Sequence, residues 1–303
     1  MNLEVLIGNI RLKNPLIIAS GTFGFGEKFK KVIQRAGGFI TKGITKEERK
    51  GNEFPRIWDG GGYLLNSIGL ENPGVEKFKK EILPLVFKNR VFFMVNVAGF
   101  SVDEFFYIVE MLKDESIDGF ELNLSCPNVK KDYKLIGAVP KSVRKIVRGV
   151  KSITDKPIFV KLTPNYCDPI EIAEICEEEK ADAVVVFNTL FGMRVDIEKR
   201  KPYFKSVRGG ISGPGVKPFV LYSVYEISKR VKIPVVASGG VTNGEDVLEY
   251  LLVGAKAVEI GSVNLRDPFA LIRILKELRI LLKKLKIKRI EEIIGKMEVK
   301  DET

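Results

Sequence analysis

The segment PIFVKLTPNYCDPIEIAEICEEEKADAVVVF, residues 157–187, holds two short apolar runs on either side of a stretch whose apolar residues recur at helical spacing. Residues 158–162 and 183–187 are short and bounded by turn residues, which reads as two strands, and 169–179 reads as the helix between them. A strand, a crossover helix and a second strand make a right-handed βαβ unit, so the two strands lie parallel in one sheet. Runs of the same kind recur at 16–19, 39–44, 92–97, 119–124, 234–237 and 257–260, giving eight in all. Helical periodicity at 103–113, 141–153, 217–229 and 244–252 separates most of them. Eight parallel units close most naturally into a (β/α)8 TIM barrel, and 303 residues with 45% hydrophobic side chains suit a single domain over 1–303.

Three stretches break the alternation. Residues 3–12, with Gly8-Asn9 at their centre, read as an N-terminal β-hairpin plugging the barrel bottom. Residues 51–70 are rich in Gly, Asn and aromatics, while 196–215 carry Pro202, four glycines and alternating Arg and Lys. Both read as long loops inserted at the C-terminal mouth, where loops of that length usually serve a ligand or a lid.

Composition narrows the chemistry. No apolar run approaches the roughly 18 residues of a membrane span, and Met1-Asn2-Leu3-Glu4 lacks a signal-peptide pattern, so the expected location is cytoplasmic. The sequence has no histidine, and its three cysteines, Cys126, Cys167 and Cys176, show no C-x-x-C spacing. Neither a disulfide framework nor a metal site is encoded, and proton transfer near neutral pH falls to Cys, Lys, Tyr or a carboxylate. The net charge of +11 suits an anionic ligand, an acidic partner or a nucleic acid without choosing among them. Much of the excess lies in 272–289, where cations fill the face opposite an apolar stripe, as on a solvated helix.

In a barrel of this type the residues just past each strand share one mouth. Here they are Ser20, Lys42, Asn96, Asn123 with Cys126, Lys161, Asn188 with Thr189, Gly239-Gly240, and Gly261-Ser262. Glycines after the last two strands leave backbone N–H groups uncovered where this fold often holds a phosphate, and a helix starting at Gly244 offers its dipole. Ordinary tight turns are the alternative. Lys161, in an otherwise apolar strand, needs an anionic partner: either a reduced flavin, whose charge gathers near N1 and O2, or a protein carboxylate. Lys42 suits a substrate carboxylate or the ring edge. Asparagines 66, 96, 123, 128 and 188 supply paired donors and acceptors for a cyclic amide or imide. Cys126, before Pro127 on a bend, is placed to abstract a carbon-bound proton as hydride leaves.

The ordered segments ASGTFGFG (19–26), TKGIT (41–45), NSIGLENPG (66–74), VNVAG (95–99), ELNLSCPN (121–128), VKLTPN (160–165), NTL (188–190), GGISGP (209–214), SGGV (238–241) and IGS (260–262) resemble dihydroorotate dehydrogenases of class 1 over nearly the whole chain. The resemblance implies oxidation of (S)-dihydroorotate to orotate in pyrimidine synthesis, with Cys126 taking the C5 proton and the C6 hydride passing to FMN. It implies that Ser20, Lys42, Gly43, Asn96, Asn123, Lys161, Phe187, Gly213, Gly239, Gly240, Gly261 and Ser262 hold FMN. Lys42, Asn66, Ser67, Ile68, Gly69, Leu70, Asn123, Asn188 and Thr189 would hold the substrate.

The segment DIEKRKP (196–202) is similar to the NAD-linked class 1B. That likeness implies a homodimer of barrels within a heterotetramer whose other subunits carry FAD and a [2Fe–2S] cluster. One departure is Lys131-Asp132-Tyr133-Lys134, where that family usually has a Gly-rich loop. Two other FMN barrels stay open as readings, a tRNA-dihydrouridine synthase and a dihydropyrimidine dehydrogenase. The first predicts an added basic RNA domain and the second iron–sulfur motifs. A basic barrel acting only as a binding scaffold is the non-enzymatic alternative.

Overall fold

The computed structural model describes residues 2–86, 91–125 and 135–299. Each apolar run becomes a strand: β1 (Leu16–Ile18), β2 (Gly38–Ile40), β3 (Phe92–Ala98), β4 (Gly119–Asn123), β5 (Ile158–Lys161), β6 (Ala183–Val186), β7 (Val235–Ser238) and β8 (Ala257–Ile260). Every strand pairs in parallel with its sequence neighbours, and β8 pairs with β1 to close the ring. The strands are apolar along their length because both faces are covered, one by the barrel's own filling and the other by helices. In β6 and β8 every residue is buried.

The helices follow from capping and periodicity. Helix α1 (Val102–Leu112) starts where Ser101 accepts the Glu104 N–H, and α3 (Pro169–Glu178) where Asp168 accepts from Ile170. Each cap replaces an acceptor the first turn lacks. Between them, α2 (Pro140–Ile153) buries Val143, Ile146, Val147 and Val150, one stripe at helical spacing. Helices α4 (Lys217–Arg230) and α5 (Gly244–Leu252) flank β7. In α6 (Ala270–Lys284), Leu271, Ile274, Leu278 and Leu282 are buried, whereas Arg273, Lys276, Arg279 and Lys283 are exposed. The basic excess of this segment is thus a solvated face. None of the described helices is long and apolar enough to cross a membrane.

Strands Val5–Ile7 and Ile10–Leu12 form the N-terminal hairpin, burying Val5, Ile7 and Leu12 just before the chain enters β1 from the bottom of the barrel. The two stretches expected as loops depart from that reading. Ile57–Asp59 pairs with Leu64–Asn66, which pairs with Gly209–Ser212, which in turn pairs with Leu190–Gly192, all antiparallel. This four-stranded cap sheet was hidden because segments of three or four residues are too short to show an alternating pattern, and their partners are remote in sequence.

Gly37, the residue before β2, packs against the hairpin exit, and a Cβ there would stand 2.0 Å from the Asn14 carbonyl oxygen. Backbone at that distance cannot yield as a side chain would. Gly37→Ala is expected to lower stability by about 2 kcal/mol or more, read from the midpoint of a urea unfolding curve; an unchanged midpoint would show that the junction relaxes freely.

Candidate active site at the barrel mouth

The C-terminal ends of the strands open into one cavity of about 1080 Å³. Ser20, Lys42, Gly43, Asn96, Asn123 and Lys161 line one part of it. Phe187, Asn188, Thr189, Gly239, Gly240, Gly261 and Ser262 line another, and the loop of Asn66, Ser67, Ile68, Gly69 and Leu70 forms a wall. Gly213 does not line it. With φ at 96°, Gly213 turns the chain out of the cap sheet, packed against the backbone of Tyr63 and Leu64. Cys126, Asn128 and residues 131–134 lie outside the described residues. The other two thiols are unsuited to base catalysis near neutral pH: burial pushes Cys167 up to about 11 and Cys176 further still.

The turns after β7 and β8 present donors. Among the described residues, the backbone N–H groups of Gly240, Val241, Gly261 and Ser262 donate to no protein acceptor, which suits an anion with several oxygens. Gly240 has φ at 73°, and a Cβ there would come within 2.5 Å of Lys217 Cβ, so the turn lies flat on the start of α4. The helix dipole expected after Gly244 is not available to a ligand. Asn243 and Asp246 form a capping box on α5, and the Gly244 N–H donates to Glu277. Tyr250, buried beneath, donates its hydroxyl to the Gly239 carbonyl at 2.6 Å.

Lys161 has protein partners. Its ammonium lies 2.5 Å from Glu259 and 3.7 Å from Glu121, and both carboxyl groups are buried in the barrel. Burial alone would lower the lysine pKa, but the charges of Glu121 and Glu259 outweigh it and hold it above its ordinary value. Burial and the facing charge of Glu259 push Glu121 well above the usual carboxyl range. Among the described residues, Glu121 Oε2 and Glu259 Oε1 are buried carboxyl oxygens of this cluster without a hydrogen-bond partner. Glu121 and Glu259 escaped the sequence reading, although Phe-Glu-Leu and Val-Glu-Ile each set a charge inside an apolar run.

At the rim, Lys42 pairs with Glu71 at 3.2 Å, and Arg56 reaches the same oxygen at 3.3 Å. The Lys42 contact first, then Arg56, keeps the Glu71 carboxyl below its ordinary value. The Asn66–Leu70 loop is pinned by Asn52, whose Nδ2 donates to Ser67 O and Oγ, and by the hydroxyl pair Ser67–Ser206 at 2.6 Å. Two cations on the cavity wall were not foreseen: Arg49, stacked on Phe100, and Arg208, stacked on Phe191. Arg208 sits in an inserted stretch and Arg49 just before the other, where no periodicity marks an inward side chain.

A closed parallel barrel whose mouth gathers lysines, carboxamides and uncovered backbone N–H groups has the makings of an enzyme site suited to polar, anionic ligands. The chain belongs to the dihydroorotate dehydrogenase family, whose profile matches residues 2–282. It is 43% identical to a protein of Caldicellulosiruptor bescii and 42% identical to one of Caldicellulosiruptor saccharolyticus, each over 99% of this chain and 100% of the relative. It is 40% identical to one of Bacteroides fragilis, over 98% of this chain and 99% of the relative. All three bear the name dihydroorotate dehydrogenase B (NAD(+)), catalytic subunit. Among solved structures, a dihydroorotate dehydrogenase from Eimeria tenella in complex with ferulenol superposes with a TM-score of 0.80, covering 97% of this chain and 88% of that one at 22% identity, which supports the fold.

The turn after β7 rests on Asp246, which accepts from the Thr242 N–H and hydroxyl, the Asn243 N–H and the Lys217 ammonium. Burial would raise its pKa, yet Lys217 and Thr242 outweigh burial and depress it. Its stabilisation is thus present above the unfolded carboxyl pKa of about 3.9 and is lost as pH falls through the lower folded value. Asp246→Asn is expected to cost about 2 kcal/mol at neutral pH. Urea melts repeated in acid should show that deficit shrinking; a deficit that does not change with pH would mean the charge is irrelevant.

Proposed function

We propose that this chain oxidises (S)-dihydroorotate to orotate in pyrimidine synthesis, as a single FMN-binding barrel domain in the cytoplasm that passes its electrons on to NAD through a partner. The observation that carries this reading is the convergence in one cavity of free backbone donors after β7 and β8, the Lys161 ammonium and a row of carboxamides.

These groups fit FMN. The N–H groups of Gly240, Val241, Gly261 and Ser262 suit its phosphate, while Lys161, Asn96, Asn123, Ser20, Gly43 and Phe187 surround the space for the ring. When bound there, FMN supplies the acceptor for the hydride leaving C6 of the substrate. Lys42, the Asn66–Leu70 loop, Asn123, Asn188 and Thr189 orient dihydroorotate. Cys126, three residues beyond Asn123 at the end of β4, takes the proton from C5. A cation at Lys161, held by its two carboxyl partners, favours negative charge on a neighbouring ring.

The words "catalytic subunit" in the relatives' names support a partner. The reading assigns that partner FAD and a [2Fe–2S] cluster, in a heterotetramer built around a dimer of barrels. The net charge of +11 favours an acidic face on it.

Reconstituted with FMN, the chain is expected to lose its flavin absorbance when dihydroorotate is added without oxygen. Bleaching by NADPH instead would favour the dihydrouridine synthase reading. Cys126→Ser should slow the bleaching about 100-fold or more while leaving FMN bound; an unchanged rate in stopped-flow absorbance would remove this thiol from the mechanism.

A further inference from the structure

The asparagines of the mouth form a hydrogen-bonded row with one direction. The Thr189 N–H donates to Asn188 Oδ1 at 2.8 Å, and Asn188 Nδ2 donates to Asn123 Oδ1 at 3.0 Å. Asn123 Nδ2 then donates to Asn96 Oδ1 across a long 3.4 Å, and Asn96 Nδ2 donates to Glu121 Oε1 at 2.5 Å. The Ser125 N–H adds a second bond to Asn123 Oδ1 at 3.2 Å.

A carboxamide turned end for end keeps nearly the same shape, so its partners decide which end is oxygen. Here the partners at both ends of the row are irreversible. Two backbone N–H groups can only donate, at Ser125 and Thr189. At the other end Glu121 Oε1 takes the Asn96 N–H, while its Oε2 is turned toward Lys161 at 3.7 Å. Asn123 then has both lone pairs of its oxygen engaged and one N–H left over. Asn96 and Asn188 each keep one spare N–H and one unused lone pair, and all three residues line the cavity.

We infer that Glu121, together with the backbone N–H groups of Ser125 and Thr189, fixes the sense of Asn96, Asn123 and Asn188, and leaves Asn123, whose oxygen is fully engaged, as a donor alone. The ligand atom that Asn123 selects is an acceptor, a carboxylate or carbonyl oxygen, and an N–H group set against it is refused. This makes Glu121 a positioning residue that sets specificity from inside the barrel without touching the ligand; the inference rests on reading the cavity as the dihydroorotate and orotate site. The refusal is physical, since a donor set against a donor leaves both groups unpaired once the ligand has displaced water between them.

The test uses two variants of the FMN-loaded protein. Glu121→Met removes the acceptor. Glu121→Gln keeps an oxygen for Asn96 with nearly the same side-chain shape. Orotate binding, titrated through the flavin absorbance, is expected to weaken about tenfold in E121M, or 1.4 kcal/mol, and to stay near wild type in E121Q, with KM for dihydroorotate following the same split and kcat changing less. Equal weakening in both variants, or none in either, overturns the inference. Neutron diffraction from the deuterated wild-type holoprotein reads the amides directly: deuterium on the Asn123 atom facing Asn96 supports the lock, and deuterium on the atom facing Asn188 overturns it. Failure of the wild-type protein to bind orotate would sink the functional reading instead, and the neutron map would still decide the polarity.

Discussion

The ammonium of Lys161, set between Glu259 and Glu121 inside a closed ring of strands, is the contact on which the mouth is organised. Burying three ionisable groups is unfavourable, and apolar residues of the same volume would often stabilise a barrel as well or better. The arrangement holds because Lys161 faces both carboxyl groups, and Ser238 donates to the Glu259 oxygen that also takes the Lys161 bond. Strands β4, β5, β7 and β8 are thereby tied across the barrel at one level. The position of Lys161 at the cavity floor is fixed by groups that cannot move without leaving a charge unpaired.

From that floor the polarity of the site spreads in two directions. Through Glu121 it reaches Asn96, Asn123 and Asn188, each held by a partner of fixed sense. Through Ser238 it reaches the turn after β7, where Gly240 lies against α4 and Tyr250 holds the Gly239 carbonyl from below. The first direction ends in side-chain donors and the second in backbone donors. A ligand with a phosphate at one end and acceptor atoms at the other meets complementary groups along its whole length, while Lys42, Arg49 and Arg208 add positive charge at the rim.

Much of this was legible in the sequence because barrel strands are short, apolar and separated by helices of regular period. The position of a residue just past a run was enough to bring Ser20, Lys42, Asn123 and Asn188 to one cavity. What stayed hidden was pairing over distance. Lys161 stood out as a charge in an apolar strand, but its partner Glu259 is 98 residues away, and nothing local names it. The glycines after β7 read correctly as open donors, yet the helix that follows spends its own N-terminus on Asn243, Asp246 and Glu277. Gly213 fell outside the cavity because a motif fixes the identity of a residue and not which side of a turn it faces. The segment that holds Cys126 lies outside the described residues, so for that thiol the sequence remains the only guide.

The cap sheet has a consequence for how the molecule assembles. Its strands come from insertions after β2 and after β6, four places apart in a ring of eight, so it spans the opening from one wall to the opposite one. Asn66 and Gly210, which meet within it, are 144 residues apart, and pairings of such long range are slow to form. The brace is complete only when both walls are in place, so a partly opened barrel has no finished pocket with which to capture a ligand.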